Sequence, residues 1–289
     1  MTAAGAPRTL ALCADDFGIA AGVCGGIARL AHAQRLTAVS CITTGEQWPE
    51  HARLLAGVPD SVDVGLHLNL TEGAPLSKRL ARLWPRLPSL PKLIALAHLG
   101  RVPRAEMRAE LHAQLSAFHA ARGERPRFID GHQHVHHLPG IRELVLDMLE
   151  HVQPLPALRN TGRVLGPGSA FKRWMIERTG GRALLAAARR RVIPHNPALL
   201  GVYGFDDPDY RALMQRWLAE LPPEGALLFC HPGDPDPAYA GDAIAAARTR
   251  ERDYLASDAF AADLAAAGVV LGRVWQGEQA AVSETSKPG

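Results

Sequence analysis

Leu10-Ala11-Leu12-Cys13-Ala14-Asp15-Asp16-Phe17-Gly18 is an apolar run that stops abruptly on two carboxylates and a glycine. It reads as a buried strand ending in a tight turn. A second string repeats the pattern: Phe128-Ile129 runs into Asp130-Gly131-His132-Gln133-His134-Val135-His136. In parallel α/β proteins the carboxyl ends of the strands are where loops converge over one rim, so acids and imidazoles at two strand ends place a site there. The combination points to metal-assisted hydrolysis.

Working outward, short apolar runs alternate with longer helical patterns. Strands are predicted over residues 10–14, 38–43, 62–68, 128–130, 157–159, 199–203, 226–230 and 269–272, and helices over 20–34, 51–56, 105–122, 141–151, 210–220 and 243–267. Up to eight strands with interleaved helices predict an α/β fold of TIM-barrel type, a parallel (β/α) barrel or near-barrel, in a single domain over residues 1–275. Two segments break the rhythm. Lys78 to Pro103 holds four prolines amid Leu and Arg, and Asn160 to Pro197 holds Gly162, Gly166 and Gly168 beside a further helical stretch. Both read as insertions over the carboxyl-terminal rim, either decoration or walls of a substrate groove. The polar segment 276–289, rich in Glu, Ser and Lys, reads as a frayed tail.

Composition sets ordinary limits. The 289 residues are 47% hydrophobic and 21% charged, enough for one barrel-sized core. A net charge of +3 with dispersed basic residues gives no nucleic-acid footprint. The one dense cluster, Arg189-Arg190-Arg191, reads as a solvated helix end, with contact to acidic lipid headgroups left open. Cys13, Cys24, Cys41 and Cys230 lack CxxC spacing, and three of them lie in apolar runs. Free thiols in a reducing compartment, the cytoplasm, are therefore expected. Asp15-Asp16 interrupts the only stretch resembling a signal peptide, and no apolar run reaches the roughly 18 residues of a spanning helix. Stable membrane insertion is not expected, and peripheral contact stays open.

The candidate residues divide by chemistry. Adjacent aspartates after a strand can diverge, one toward a cation and the other free as a base, although an isolated pair also serves as a helix cap. His67 lies in the alternating run Val64-Gly65-Leu66-His67-Leu68, where a core histidine is the ordinary reading. His132, His134 and His136 have the period of an extended segment, which would project all three to one side toward a cation. Asp130 beside them supplies a carboxylate of the kind that orients ligating imidazoles. His231, in Phe229-Cys230-His231-Pro232-Gly233, stands between an apolar strand and a rigid turn.

Four strings in this order, Ala14–Gly18 (ADDFG), Gly65–Thr71 (GLHLNLT), Asp130–Pro139 (DGHQHVHHLP) and Cys230–Gly233 (CHPG), resemble the YdjC-like carbohydrate deacetylases, including the chitooligosaccharide and hopanoid-pathway deacetylases. The resemblance runs from Thr9 to about Arg273. It implies a distorted (β/α) barrel holding one divalent metal ion, magnesium or zinc, through Asp16, His67 and His132. It further implies Asp15 as general base, His231 as the acid toward the leaving amine, and an N-acetylglucosamine-containing oligosaccharide or glycolipid as substrate. Asp130, His134 and His136 would support the ligands, and the rim groups Arg159, Tyr203 and Trp84 would position the sugar. Two other classes stay open on residues alone: a metal-dependent phosphoesterase or amidohydrolase with a multi-metal rim, and a catalytically silent carbohydrate-binding protein. The sequence also leaves open the aglycone, the metal and whether the chain forms a homodimer.

Overall fold

The computed structural model describes residues 7–276, and its strands are all parallel. They are β1 (Arg8–Phe17), β2 (Ala38–Cys41), β3 (Asp63–Leu68), β4 (Phe128–Gly131), β5 (Ala157–Leu158), β6 (Leu199–Leu200), β7 (Ala226–Cys230) and β8 (Val269–Leu271). Their order is β5-β4-β3-β2-β1-β7-β6, with β8 also on β1. One edge of β1 carries β7; the other is shared, β8 pairing with Arg8–Leu10 and β2 with residues from Cys13 onward.

The expected barrel is present, with its distortion at one seam. No continuous ladder joins β5 to β6; single pairings, Leu158 with His195 and Val164 with Leu199, bridge them. Two asparagines replace the missing ladder. The Asn160 backbone N–H donates to Asn196 Oδ1 at 2.7 Å, and each side-chain amide donates to the other's backbone carbonyl at 3.1 Å. Buried backbone groups need such partners, so the seam closes without further strand.

Alternation along β1 separates two cores. Ala11 and Cys13 face the barrel interior with Phe128, Leu199, Leu227, Phe229 and Trp275, whereas Leu10, Leu12 and Ala14 face the helices. Trp275 plugs the amino-terminal end, its ring stacked 5.3 Å from Phe128 and its Nε1 donating to Asp63 Oδ2 at 2.8 Å. Gly65 makes room for this stack, since a Cβ there would lie 2.5 Å from the Phe128 ring.

The helical layer comprises α1 (Ala21–His32), α2 (Trp48–Arg53), α3 (Lys78–Leu83), α4 (Leu90–His98), α5 (Arg104–Arg122), α6 (Ile141–Leu149), α7 (Ala170–Ile176), α8 (Arg182–Arg190), α9 (Tyr210–Ala219), α10 (Ala245–Ala256) and α11 (Asp258–Ala266). The first inserted segment is α3 and α4; the second contains α7 and α8. The single helix expected over 243–267 is two. Ser257 turns extended (φ −80°, ψ 161°) and its hydroxyl takes the Tyr254 carbonyl at 2.7 Å, which breaks the run between α10 and α11. Of the expected tail, Gln276 pairs with His195, and residues 277–289 lie outside the described residues. Among the described residues no helix is long and apolar enough to cross a membrane.

Trp275→Ala removes both the ring stack and the bond to Asp63. Unfolding stability should fall by about 3 kcal/mol, within the range for large-to-small core changes, read as a lowered denaturant midpoint. A change within error would show that the plug carries no stability.

Candidate active site

The site begins with an irregularity in β1. Ala14 pairs with Val39 but Phe17 with Cys41, so the Asp15-Asp16 segment carries one extra residue. Such a bulge re-aims side chains at a strand end. Asp16 takes φ +68°, uncommon for a residue with a Cβ, and Gly18 takes φ +101° where a Cβ would strike Ile42 O at 2.1 Å. Neither aspartate caps α1: Ala20 occupies the cap position, and Asp236 Oδ2 accepts the Gly22 N–H at 2.8 Å. Both carboxylates are thereby directed into the cavity above the strand ends.

There Asp16 meets two imidazoles. His132 Nδ1 lies 2.9 Å and His67 Nε2 3.6 Å from Asp16 Oδ1, with the three residues buried. Each imidazole has a second carboxylate behind it. His67 Nδ1 contacts Asp130 Oδ1 at 2.7 Å, where the Ser40 hydroxyl also donates, and His132 Nε2 contacts Glu72 Oε1 at 3.1 Å. Burial alone would lower both histidines, but the surrounding carboxylates, Asp130 and Asp15 for His67 and Asp16 for His132, raise them to about 10 and about 9. Burial opposes ionisation of Asp16, yet His132 and Arg248 hold its carboxyl well below the usual range. The pocket thus favours added positive charge. One carboxylate oxygen and two oriented nitrogens within 4.8 Å of one another suit a divalent cation.

A second acidic group, Cys13, Asp15 and Asp130, is filled from within the protein. Arg159, expected to face a sugar, is completely buried. Its guanidinium donates to both Asp15 oxygens at 2.6 Å, lies 2.6 Å from Asp130 Oδ2 and reaches Cys13 Sγ at 3.1 Å. It therefore holds carboxylates and cannot touch substrate. This internal cation also disfavours a two-metal centre of the phosphoesterase kind.

The histidine string departs from expectation as well. Residues His132–His137 form a 3-10 turn, with Gln133 and His134 at φ +53° and +62°, so the three imidazoles do not share one side. His132 points to Asp16. His134 lines the cavity edge-on to Phe229 at 5.3 Å, whereas the buried His136 Nε2 donates to Arg159 O at 3.0 Å and so steadies the segment bearing that arginine. Burial lowers His136 and His231 alike to about 4.

His231 lines the same cavity, of about 550 Å³, as Asp16, His67 and His132. Tyr203 also lines it, but its hydroxyl donates to Glu251. Trp84, expected at the sugar, packs against the core and does not line the cavity. Three site residues carried little signal in the sequence. Glu72 follows the GLHLNLT string closely enough to have been suspected. Arg248 Nη2 donates to Asp16 Oδ2 at 2.9 Å, and Glu251 accepts the His231 N–H; both come from α10, whose sequence reads as an ordinary surface helix.

The YdjC-like protein family matches residues 9–266. The chain belongs to this family. A carbohydrate deacetylase of Mus musculus is 34% identical over 257 residues, 81% of each chain. A chitooligosaccharide deacetylase of Escherichia fergusonii is 34% identical over 139 residues, 48% of this chain and 54% of that one. Among solved structures, a putative cellobiose-phosphate cleavage protein from Enterococcus faecalis V583 superposes with a TM-score of 0.70 at 20% identity, covering 93% of this YdjC-like chain and 98% of the other. That likeness bears on the fold alone.

Asp16→Ala, His67→Ala and His132→Ala should each abolish stoichiometric metal binding, while Asp130→Asn weakens metal affinity about 10- to 100-fold by releasing His67. Titration of the stripped proteins with zinc checks this, and full occupancy in all three alanine variants would overturn the assignment.

Stability should also follow pH. His136 and His231, at about 4 in the fold, remain neutral while an unfolded histidine, near 6.5, gains a proton. Their stability is present above about 6.5 and lost as pH falls toward 4. The raised His67 and His132 are already fully stabilising below 6.5; Glu251, pushed up to about 7, opposes the loss in that window but is outweighed, because burial lowers His134 and His137 as well. The thermal midpoint of the metal-free protein should therefore drop between pH 6.5 and 4.5; a flat midpoint contradicts this.

Proposed function

We propose that this YdjC-like protein is a metal-dependent deacetylase that hydrolyses the N-acetyl group of an amino sugar. One observation carries the reading: Asp15, the Asp16–His67–His132 cluster and His231 line a single cavity whose remaining wall is largely apolar. An acetamide has a weakly electrophilic carbonyl and a poor leaving group, so water activation, charge stabilisation and nitrogen protonation are needed together. The naming of the mouse and Escherichia relatives supports the same chemistry.

A divalent cation held by Asp16, His67 and His132 supplies Lewis acidity toward water and the amide carbonyl. Of the two candidates, magnesium and zinc, two imidazoles with one carboxylate favour zinc. Asp15 accepts the proton of the attacking water. Arg159 fixes both oxygens and the Cys13 thiol also approaches Oδ1, but Oδ2 keeps a lone pair, so the arginine aims the base without removing it. His231 protonates the departing nitrogen. Burial lowers His231 to about 4, so its imidazolium is a minor form at neutral pH but a strong acid toward an amine; the proton it gives up is balanced by the one Asp15 takes from water, and a group in this role contributes about 10²- to 10⁴-fold in rate.

The substrate is an N-acetylglucosamine unit in an oligosaccharide or a glycolipid. The wall beside the sugar comes from the second inserted segment: Phe171, Met175 and Ile176 of α7 line the cavity, whereas the Lys78–Pro103 segment contributes Leu90 only. Phe171 and Trp174 stack at 6.0 Å and stand 67% and 51% exposed, which suits an apolar aglycone. Four buried free thiols suit a reducing compartment such as the cytoplasm.

Acetate release from N-acetylglucosamine, its dimer and an alkyl glycoside, with the zinc-loaded protein, tests both levels. Release from none of them overturns the function. Asp15→Asn should keep zinc yet lower kcat by at least about 100-fold. The alkyl compound should show a KM about tenfold lower than the free sugar, an advantage lost in Phe171→Ala; no preference would remove the apolar wall from recognition.

A further inference from the structure

Glu251 is a carboxylate with no surface and no counter-ion. It is 0% exposed, and among the described residues no lysine or arginine forms an ion pair with it. Burial pushes its carboxyl up to about 7. A carboxylate in such a place is expensive unless its oxygens are bonded, and they are bonded in an informative way. One accepts the Tyr203 hydroxyl, beyond the end of β6; the other accepts the backbone N–H of His231, at the end of β7.

The surroundings of His231 give this bond its meaning. The imidazole sits edge-on to Phe205 at 5.1 Å and to Phe229 at 5.5 Å, and its Nδ1 has no hydrogen-bond partner. Among the described residues no hydrogen bond to Nδ1 sets its orientation. Its aim depends on the backbone at His231 and on the aromatic wall, in which Tyr203 packs 4.7 Å from Phe205. Glu251 holds both. One helical turn earlier, Arg248 binds Asp16 through its guanidinium, while its carbonyl accepts the Gly233 N–H at 3.2 Å. The helix α10 therefore grips the metal-binding side and the His231 turn at once.

We propose that Glu251 is a positioning residue for His231, clamping its backbone and, through Tyr203 and Phe205, its ring in line with the metal-binding cluster. The proposal rests on the reading of His231 as proton donor to the leaving amine. Glu251→Gln keeps the size but turns an –NH₂ toward one of two donors. In the zinc-loaded enzyme it should lower kcat on the sugar amide about tenfold or more, with KM and zinc affinity within about twofold. In a His231→Ala background the same change should add less than about twofold, because residues acting as a unit are not additive. With ¹³C-labelled histidine, the His231 ring resonances should shift in Glu251→Gln and those of His67 should not.

Equal kcat losses in both backgrounds, an unmoved His231 resonance, or a parallel fall in zinc affinity would each overturn the clamp. If Glu251→Gln does not fold, Tyr203→Phe carries the test: it removes one donor, and an unmoved His231 signal is again decisive. The resonance readout needs no substrate, so a wild-type protein that releases no acetate would refute the deacetylase reading and leave the clamp separately judged.

Discussion

A single buried guanidinium organises the rim. Arg159 leaves β5 and inserts between Asp15 from β1 and Asp130 from β4, with its whole side chain out of solvent. Without that charge the two carboxylates, together with nearby Asp16, would face one another in a medium where unpaired ions are not tolerated. With it, Asp15 is aimed and Asp130 is left with one oxygen for His67. The order of the site thus propagates from an arginine that touches no substrate. His136 extends the chain of support by binding the Arg159 carbonyl.

Backbone strain gathers at the same place. Asp16, Gln133 and His134 all adopt positive φ with side chains attached, and a bulge in β1 adds a residue beside Asp16. Conformations of this kind cost about 1 to 3 kcal/mol each and persist where surrounding contacts over-determine them. Here they are over-determined by the ion pairs of Asp16 and by the hydrogen bonds of the 132–137 turn. Away from the seam between β5 and β6 the strands pair in regular parallel ladders, and Trp275 seals the far end. Regular packing below and strained loops above divide stability from chemistry.

The inserted segments divide the remaining labour. The first, with α3 and α4, packs against the outer helices and brings only Leu90 to the cavity. The second opens the seam between β5 and β6, closes it again through the Asn160–Asn196 pair, and carries α7 over the mouth. Its exposed aromatic pair is the most conspicuous surface feature near the site. The helix α10 brings Arg248 to the cavity and Glu251 to the His231 backbone, so charged groups at the strand ends meet an apolar wall from α7.

Much of this was legible in the amino-acid order. The parallel α/β class follows from short apolar runs between helical patterns, and Asp16 and His132 stand where such runs stop, whereas His67, an ordinary core histidine by its own surroundings in the sequence, joins them only through the resemblance of the four strings to a known family. The positions of Asp16 and His132 are local facts, because a strand end exposes whatever residue comes next. What the order could not show is which distant groups meet there. By its place in the sequence Arg159 is one of three rim groups expected at the sugar; only the fold reveals two carboxylates converging on it. The 132–137 string was read as extended because its histidines alternate, yet Gly131 and the left-handed residues wind it into a turn. Arg248 and Glu251 were invisible on an Ala-rich helix, since their burial is decided by the sheet beneath them. Identity and spacing along the chain settle the chemistry available; packing between distant segments decides which charges are paired, which side chains are aimed, and which are left facing the cavity.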